Sequence, residues 1–147
     1  MSVQKKSYWR KIFLFDTFLK SIVLNNRISF FKYFCDSIKF DHKSTILDIG
    51  TTPSTEDHEN LFIKLFPYKF NVTCLSNTDC TLIKDKFKCL NFILADARAS
   101  NLEDNSFDIV HSNAVIEHVG SYLEQKIFVI DVEEKDILKI LVMLNLI

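Results

Sequence analysis

Glycine and proline are scarce: the 147 residues hold two of each, Gly50 and Gly120, Pro53 and Pro67. That scarcity excludes a phosphate loop or dinucleotide turn built on several glycines, and any collagen-like or low-complexity segment. No run approaches the ~20 uninterrupted apolar residues of a transmembrane helix. Ile12–Phe18 is short and contains Asp16, and the apolar stretch Ile137–Ile147 carries Lys139. Neither sign of charge is in excess. A formal net charge of -1 creates no long-range field to recruit nucleic acid or anionic lipid, so no nucleic-acid partner is expected. Cys35, Cys74, Cys80 and Cys89 form no C-x-x-C pair and have no adjacent histidines at metal spacing, so no metal site is expected. Cys74 falls inside an apolar run and reads as a reduced core thiol. With no signal peptide visible, a reducing cytoplasm is the expected location.

What the chain has is ordinary for one globular domain: 48% apolar and 25% charged residues, with 14 phenylalanines. From Ser2 to Phe40, apolar residues recur at three- and four-residue steps. Trp9, Ile12, Phe13, Phe15, Phe18, Leu19 and Ile22 are followed by Phe30, Phe31, Phe34 and Ile38. This pattern predicts amphipathic helices covering a core, with a break at Asn25-Asn26. A basic membrane-surface helix over Lys5–Lys20 is the alternative. Further on, strands are predicted at Thr45–Ile49, Asn71–Leu75, Asn91–Ala95 and Phe107–His111. Helices are predicted at Glu56–Phe66, ended by Pro67, at Leu82–Phe87, at Ala114–Glu117 and from Tyr122 to about Val132. The polar Asn101–Ser106 reads as a turn. Strands alternating with helices imply an α/β fold with a doubly wound, mostly parallel sheet.

Three segments carry the chemistry. Ser44-Thr-Ile-Leu-Asp-Ile-Gly50 and Phe92-Ile-Leu-Ala-Asp96-Ala97 are apolar runs that stop on a carboxylate and then turn through small residues. A buried parallel strand that delivers groups to a ligand crevice reads this way. The third is Ser106-Phe-Asp-Ile-Val-His111-Ser-Asn-Ala-Val-Ile-Glu-His118. Together they resemble the class I S-adenosylmethionine-dependent methyltransferases of the Rossmann-like, methyltransferase type 11-like group. The resemblance runs from about Thr45 to about Phe128. It implies an N-terminal helical cover over 1–43, an S-adenosylmethionine-binding core over 44–128 and an atypical tail over 129–147. About seven strands belong to this class, so the sheet is expected to be C-terminally incomplete. The tail then reads as a frameshift product, a truncated gene or an improvised fifth strand beside the fourth. The function implied is methyl transfer from S-adenosyl-L-methionine to a small-molecule or glycan acceptor; a non-catalytic, truncated or frameshifted remnant is the alternative. A nicotinamide-dinucleotide oxidoreductase is a third reading, opposed by the missing glycines.

The resemblance assigns donor-binding residues strand by strand. Gly50 lets the backbone pass close to the donor, Thr51 joins it at the methionine portion, and Asp48 orients the loop or favours the ammonium. Ser76 stands where relatives place an acid for the ribose, with Asp79 either recovering that role or capping the next helix. Asp96 and Ala97 match the adenine site. Ser112 and Asn113 come where donor and acceptor should meet, and Asn113 is counted among the cofactor-binding residues. His111 is a candidate general base but more in keeping with a packed or hydrogen-bonded side chain. His118 is a packing or donor-site residue, Arg98 a surface or ion-pairing one, and His42 and His58 have no evident partner. No residue is assigned as catalytic.

Overall fold

Among the described residues, five parallel strands in the order β3-β2-β1-β4-β5 form the sheet: β1 Ile46–Ile49, β2 Val72–Ser76, β3 Asn91–Leu94, β4 Ile109–Asn113 and β5 Ile140–Met143. The helices are α1 Val3–Ser37, α2 Leu61–Leu65, α3 Thr81–Lys86 and α4 Tyr122–Glu134, with 3-10 turns at Lys69–Asn71 and Ile116–His118. This computed structural model describes residues 3–113, 115–134 and 140–143, with side chains over 18–112 and 115–134.

Strand alternation sorts the core into two layers. Ile46, Val72, Cys74 and Ile109 point to one face, where Phe34 of α1, Phe62 and Ile63 of α2 and Ile83 of α3 bury them. Leu47, Ile49, Leu75 and Val110 point to the other, beneath Phe128 and Val132 of α4. All four residues of β1 are buried, as a strand covered on both faces requires. The expected α/β, Rossmann-like doubly wound architecture is therefore present. The strand order reverses between β1 and β4, which in such sheets opens a crevice at the carboxyl ends.

Helix α1 runs through Asn25-Asn26 without the predicted break. An interior asparagine costs at most about 0.7 kcal/mol, whereas burying one phenylalanine returns roughly 1.5–3 kcal/mol. Phe34 is fully buried and packs edge-on against Phe62 and Phe66, with ring centroids 5.2 and 6.4 Å away. The side chains of residues 3–17, on which the membrane-surface alternative depends, lie outside the described ones. No helix among the described residues is long and apolar enough to cross a membrane.

The predicted helix Glu56–Phe66 shrinks to Leu61–Leu65, because Asn60 adopts a left-handed conformation (φ +51°) and the residues before it form a loop. Phe66 is extended ahead of Pro67, as the proline ring demands. The fourth strand sits two residues later than predicted and includes Ser112 and Asn113. Asp108 precedes it and accepts from Thr45 N (2.8 Å) and Thr45 Oγ1 (3.0 Å), tying the starts of β4 and β1 together. The predicted helix Ala114–Glu117 is a 3-10 turn at Ile116–His118, and Ala114 lies outside the described residues. In the tail, Ile140–Met143 adds to the sheet beside β4, from Val110↔Ile140 to Asn113↔Met143. This is the fifth-strand option among the readings of that segment; residues 135–139 and 144–147 lie outside the described ones.

Candidate functional site

A cavity of about 620 Å³ opens at the carboxyl ends of β1, β2 and β3, over the switch between β1 and β4. Asp48, Gly50 and Thr51 line it from the first strand end, Ser76 from the second, and Asp96 and Ala97 from the third. Six of the eight sequence-predicted binding residues thus share one cavity. Asp79 does not line it. Its Oδ1 accepts from Thr81 N (3.0 Å) and Thr81 Oγ1 (2.7 Å), so it anchors the turn into α3, and the ribose role considered for it is withdrawn. Asn113 ends β4 in register with Met143, and its side chain lies outside the described ones.

Gly50 has φ +96°, and a Cβ there would collide with the Val115 side chain. Its N–H donates to Leu75 O (2.9 Å), which pulls the first loop over the end of β2. No further glycine shapes that loop; Asn60 does so instead. Its Oδ1 accepts from Thr52 N (2.9 Å), and its Nδ2 donates to Thr52 O and Ser54 O (2.9 Å each). One side-chain amide thus fixes three backbone groups.

Asp48 is buried, and both its oxygens are engaged. Oδ1 lies 2.5 Å from His111 Nδ1, and Thr51 Oγ1 donates to Oδ2 at 3.2 Å. The contact follows from register, since Asp48 and His111 are partners across β1 and β4 and point to the same face. An ionised carboxylate only accepts, so in this contact the imidazole Nδ1 is the donor. Phe62 stacks on the ring at 3.9 Å between centroids, and Phe34 meets it edge-on at 6.0 Å. His111 is therefore both packed and hydrogen-bonded, and it orients Asp48. Nearby, burial pushes the Cys74 thiol well above its ordinary pKa, with the Asp48 charge adding to the effect.

At the far end, Asp96 holds Arg98 through Oδ1···Nε (3.0 Å) and Oδ2···Nη2 (2.6 Å), and Arg98 N donates to Oδ1 (2.9 Å). The side-chain hydrogen bond from Arg98 is the main reason the Asp96 carboxyl drops to about 2. Arg98 Nη1 also reaches Glu124 Oε1 at 2.7 Å. Glu124 in turn accepts from Ser121 N (2.7 Å), while Ser121 Oγ accepts from Glu124 N (3.5 Å). This reciprocal capping box starts α4, and the Ser121 backbone bond is the chief cause of the lowered Glu124 pKa.

Sequence reasoning missed several lining residues: Arg27, Thr52, Glu59, Asn60 and Glu124. The Ser121-x-x-Glu124 spacing was a legible capping signal, and Asn60 is a residue type that tolerates left-handed backbone. Nothing local marked Arg27 or Glu59. His58, for which no partner was expected, lies 3.7 Å from Glu56 Oε2 and 3.5 Å from Glu59 Oε1.

Comparison with known proteins bears on the family and the fold. The methyltransferase domain family matches residues 47–130, more than half of the chain. No curated protein matches. Among solved structures, the chain is similar to the YcgJ protein from Bacillus subtilis, at 18% identity and a TM-score of 0.57, over 76% of this chain and 48% of that one. It is similar to the PH0226 protein from Pyrococcus horikoshii OT3, at 18% identity and a TM-score of 0.59, over 76% and 52%. Coclaurine N-methyltransferase, bound to N-methylheliamine and SAH, is similar at 14% identity and a TM-score of 0.55, over 78% and 34%. The chain thus spans about half the length, or less, of these structures, and at such identities the likeness is one of fold. The matched segment begins in β1, ends in α4 and takes in every strand end around the cavity, and on that basis the chain belongs to the methyltransferase domain family, with a Rossmann-like fold.

Proposed function

We propose that the chain binds S-adenosyl-L-methionine in this cavity and transfers its methyl group to a small-molecule or glycan acceptor. The observation that carries the reading is the convergence of Gly50, Ser76, Asp96 and Ala97, from three neighbouring strand ends, on one cavity of about 620 Å³. Ligand pockets commonly measure roughly 300–1,000 Å³. The residues fit the donor at three points. Gly50 offers bare backbone at a positive φ. Ser76 Oγ accepts from Thr78 N (3.1 Å) and keeps its own O–H for a ribose hydroxyl. Asp96 is half exposed beside the small Ala97, and an exocyclic amine would share its carboxylate with Arg98, from which both oxygens already accept.

When bound, the sulfonium supplies an activated methyl group. The chain's part is to hold it in line with a nucleophile and away from water. Asp48, locked by His111 and Thr51, keeps the first loop in place, and Asn60 fixes the loop's outer half. The small-molecule acceptor is supported by the N-methylheliamine in the coclaurine N-methyltransferase structure. A reducing cytoplasm suits the free thiols of Cys35, Cys74, Cys80 and Cys89. The test is calorimetric titration of the folded chain with S-adenosylmethionine and S-adenosylhomocysteine. Saturable heat is expected, and none at millimolar ligand removes the reading. Donor binding without methyl release to any acceptor would favour the non-catalytic alternative.

A further inference from the structure

Helix α1 is roughly 50 Å long at about 1.5 Å per residue, yet its described side chains join the hydrophobic core only near the carboxyl end. Phe30, Phe31, Phe34 and Ile38 are those that pack with Ile46 and Phe62. Ahead of them, Lys20 pairs with Glu56 and Arg27 with Glu59, which holds the helix against the loop before α2. The large apolar side chains of this stretch stay in solvent. Phe18 is 60% exposed, and Leu19, Ile22 and Ile28 are 43%, 41% and 44% exposed. Phe18 and Ile22 lie one helical turn apart and share a face with Tyr33, itself 59% exposed. In the sequence, Ile12 and Phe15 continue the three- and four-residue spacing towards the amino end.

The near-zero charge of the whole chain conceals a division. Helix α1 holds seven of the 18 lysines and arginines but two of the 19 acids, Asp16 and Asp36, which leaves +5 on the helix and -6 on the remainder. Its amino-terminal half carries Lys5, Lys6, Arg10 and Lys11 against Asp16. This sign decides what covers the exposed face. A second copy of the chain would set one cationic α1 against another, and like charges oppose that pairing. A nucleic acid would meet the charge but leave Phe18, Leu19 and Ile22 in water. An anionic lipid surface answers both features, taking apolar side chains into the acyl boundary and cations among the headgroups. It would also hold the acidic remainder of the chain away. Tyr8 and Trp9 are residue types that settle at that boundary.

We propose that α1 is a membrane-surface helix, its Phe18–Ile22 face entering an anionic bilayer while Lys5, Lys6, Arg10 and Lys11 engage the headgroups. The inference stands apart from the donor reading above. Trp9 is the single tryptophan of the chain, so its emission reports on α1 without a label. The full chain is mixed with vesicles of phosphatidylcholine alone, or of phosphatidylcholine and phosphatidylglycerol in equal parts. A blue shift of the emission and co-sedimentation are expected with the anionic vesicles, at least tenfold tighter than with phosphatidylcholine and weakened by added salt. Phe18→Ser/Ile22→Ser should weaken that binding at least tenfold. Lys5→Glu/Lys6→Glu/Arg10→Glu should abolish the preference for phosphatidylglycerol. Both variants should keep the cooperative melt of the wild type, because none of these residues joins the core described above. No shift and no co-sedimentation of the wild type with anionic vesicles overturns the proposal, and needs no variant to fold. Equal binding to the two vesicles overturns it too, since charge would then select nothing. A shift matched by soluble polyphosphate, or one that grows with protein concentration in the absence of lipid alongside a dimer in sedimentation velocity, gives the face to another occupant and likewise overturns it.

Discussion

Replacing Asn60 tests whether a side-chain amide takes over the work that glycines do in related loops. Its three bonds to Thr52 N, Thr52 O and Ser54 O are each 2.9 Å. At about 0.5–1.5 kcal/mol net for each hydrogen bond, their loss amounts to roughly 1.5–4.5 kcal/mol. Asn60→Gly removes them while keeping φ +51° accessible, so a loss of about 2–4 kcal/mol is expected. Asn60→Ala adds about 1 kcal/mol, because an alanine strains in the left-handed region. Asn60→Asp is the sharper probe. It keeps the acceptor for Thr52 N but turns a carboxylate oxygen towards two carbonyls, so it should cost as much as the glycine variant despite its shape. Urea unfolding followed by far-UV circular dichroism gives the free energies, and titration with S-adenosylhomocysteine reads the loop. Against a typical domain stability of about 5–15 kcal/mol, each effect is measurable. An Asn60→Gly or Asn60→Asp protein within 0.5 kcal/mol of wild type would refute the account of the loop.

Gly50→Ala combines a positive φ with collision against the β-branched Val115, and should cost roughly 2–4 kcal/mol in urea unfolding and abolish donor binding. His111→Phe leaves Asp48 buried with only Thr51, at about 2–4 kcal/mol. The double variant Asp48→Leu/His111→Phe should recover much of that loss, and a double variant worse than the sum of the two singles would contradict the pairing. Because the Asp96 pKa is depressed to about 2, its contribution to stability is present above the unfolded value of ~3.9 and is lost as pH falls towards about 2. Arg98→Ala should raise the Asp96 titration towards the ordinary carboxylate range in a carboxyl NMR experiment, and an unmoved midpoint would count against the pair.

The sheet was legible because its strands are short apolar runs bounded by polar turns, and those runs depend on local patterning alone. The doubly wound arrangement followed from strands alternating with helices, and the cavity followed from small and acidic residues at the strand ends. The misplaced boundaries share a cause. Helical periodicity places the helix before Pro67 from Glu56, but the loop holds Asn60 through contacts to Thr52 and Ser54 that outrank propensity. The opposite happened in α1, where asparagines that favour a break were carried through by the burial of Phe34.

The charged contacts around the cavity were illegible for a different reason. Asp48 and His111 are 63 residues apart, and what joins them is the pairing of β1 with β4 in one particular register. A slip of one residue would put His111 on the α4 face and leave the buried Asp48 with Thr51 but without the imidazole. Asp48 therefore constrains the register as well as the loop, because an uncompensated buried carboxylate is among the costliest defects a core can hold. Arg27 and Glu59 meet in the same non-local way, through α1 lying against α2. Residues that make the backbone turn can be read from the chain one segment at a time, while residues that set the charge inside the cavity are decided only once the sheet has closed around them.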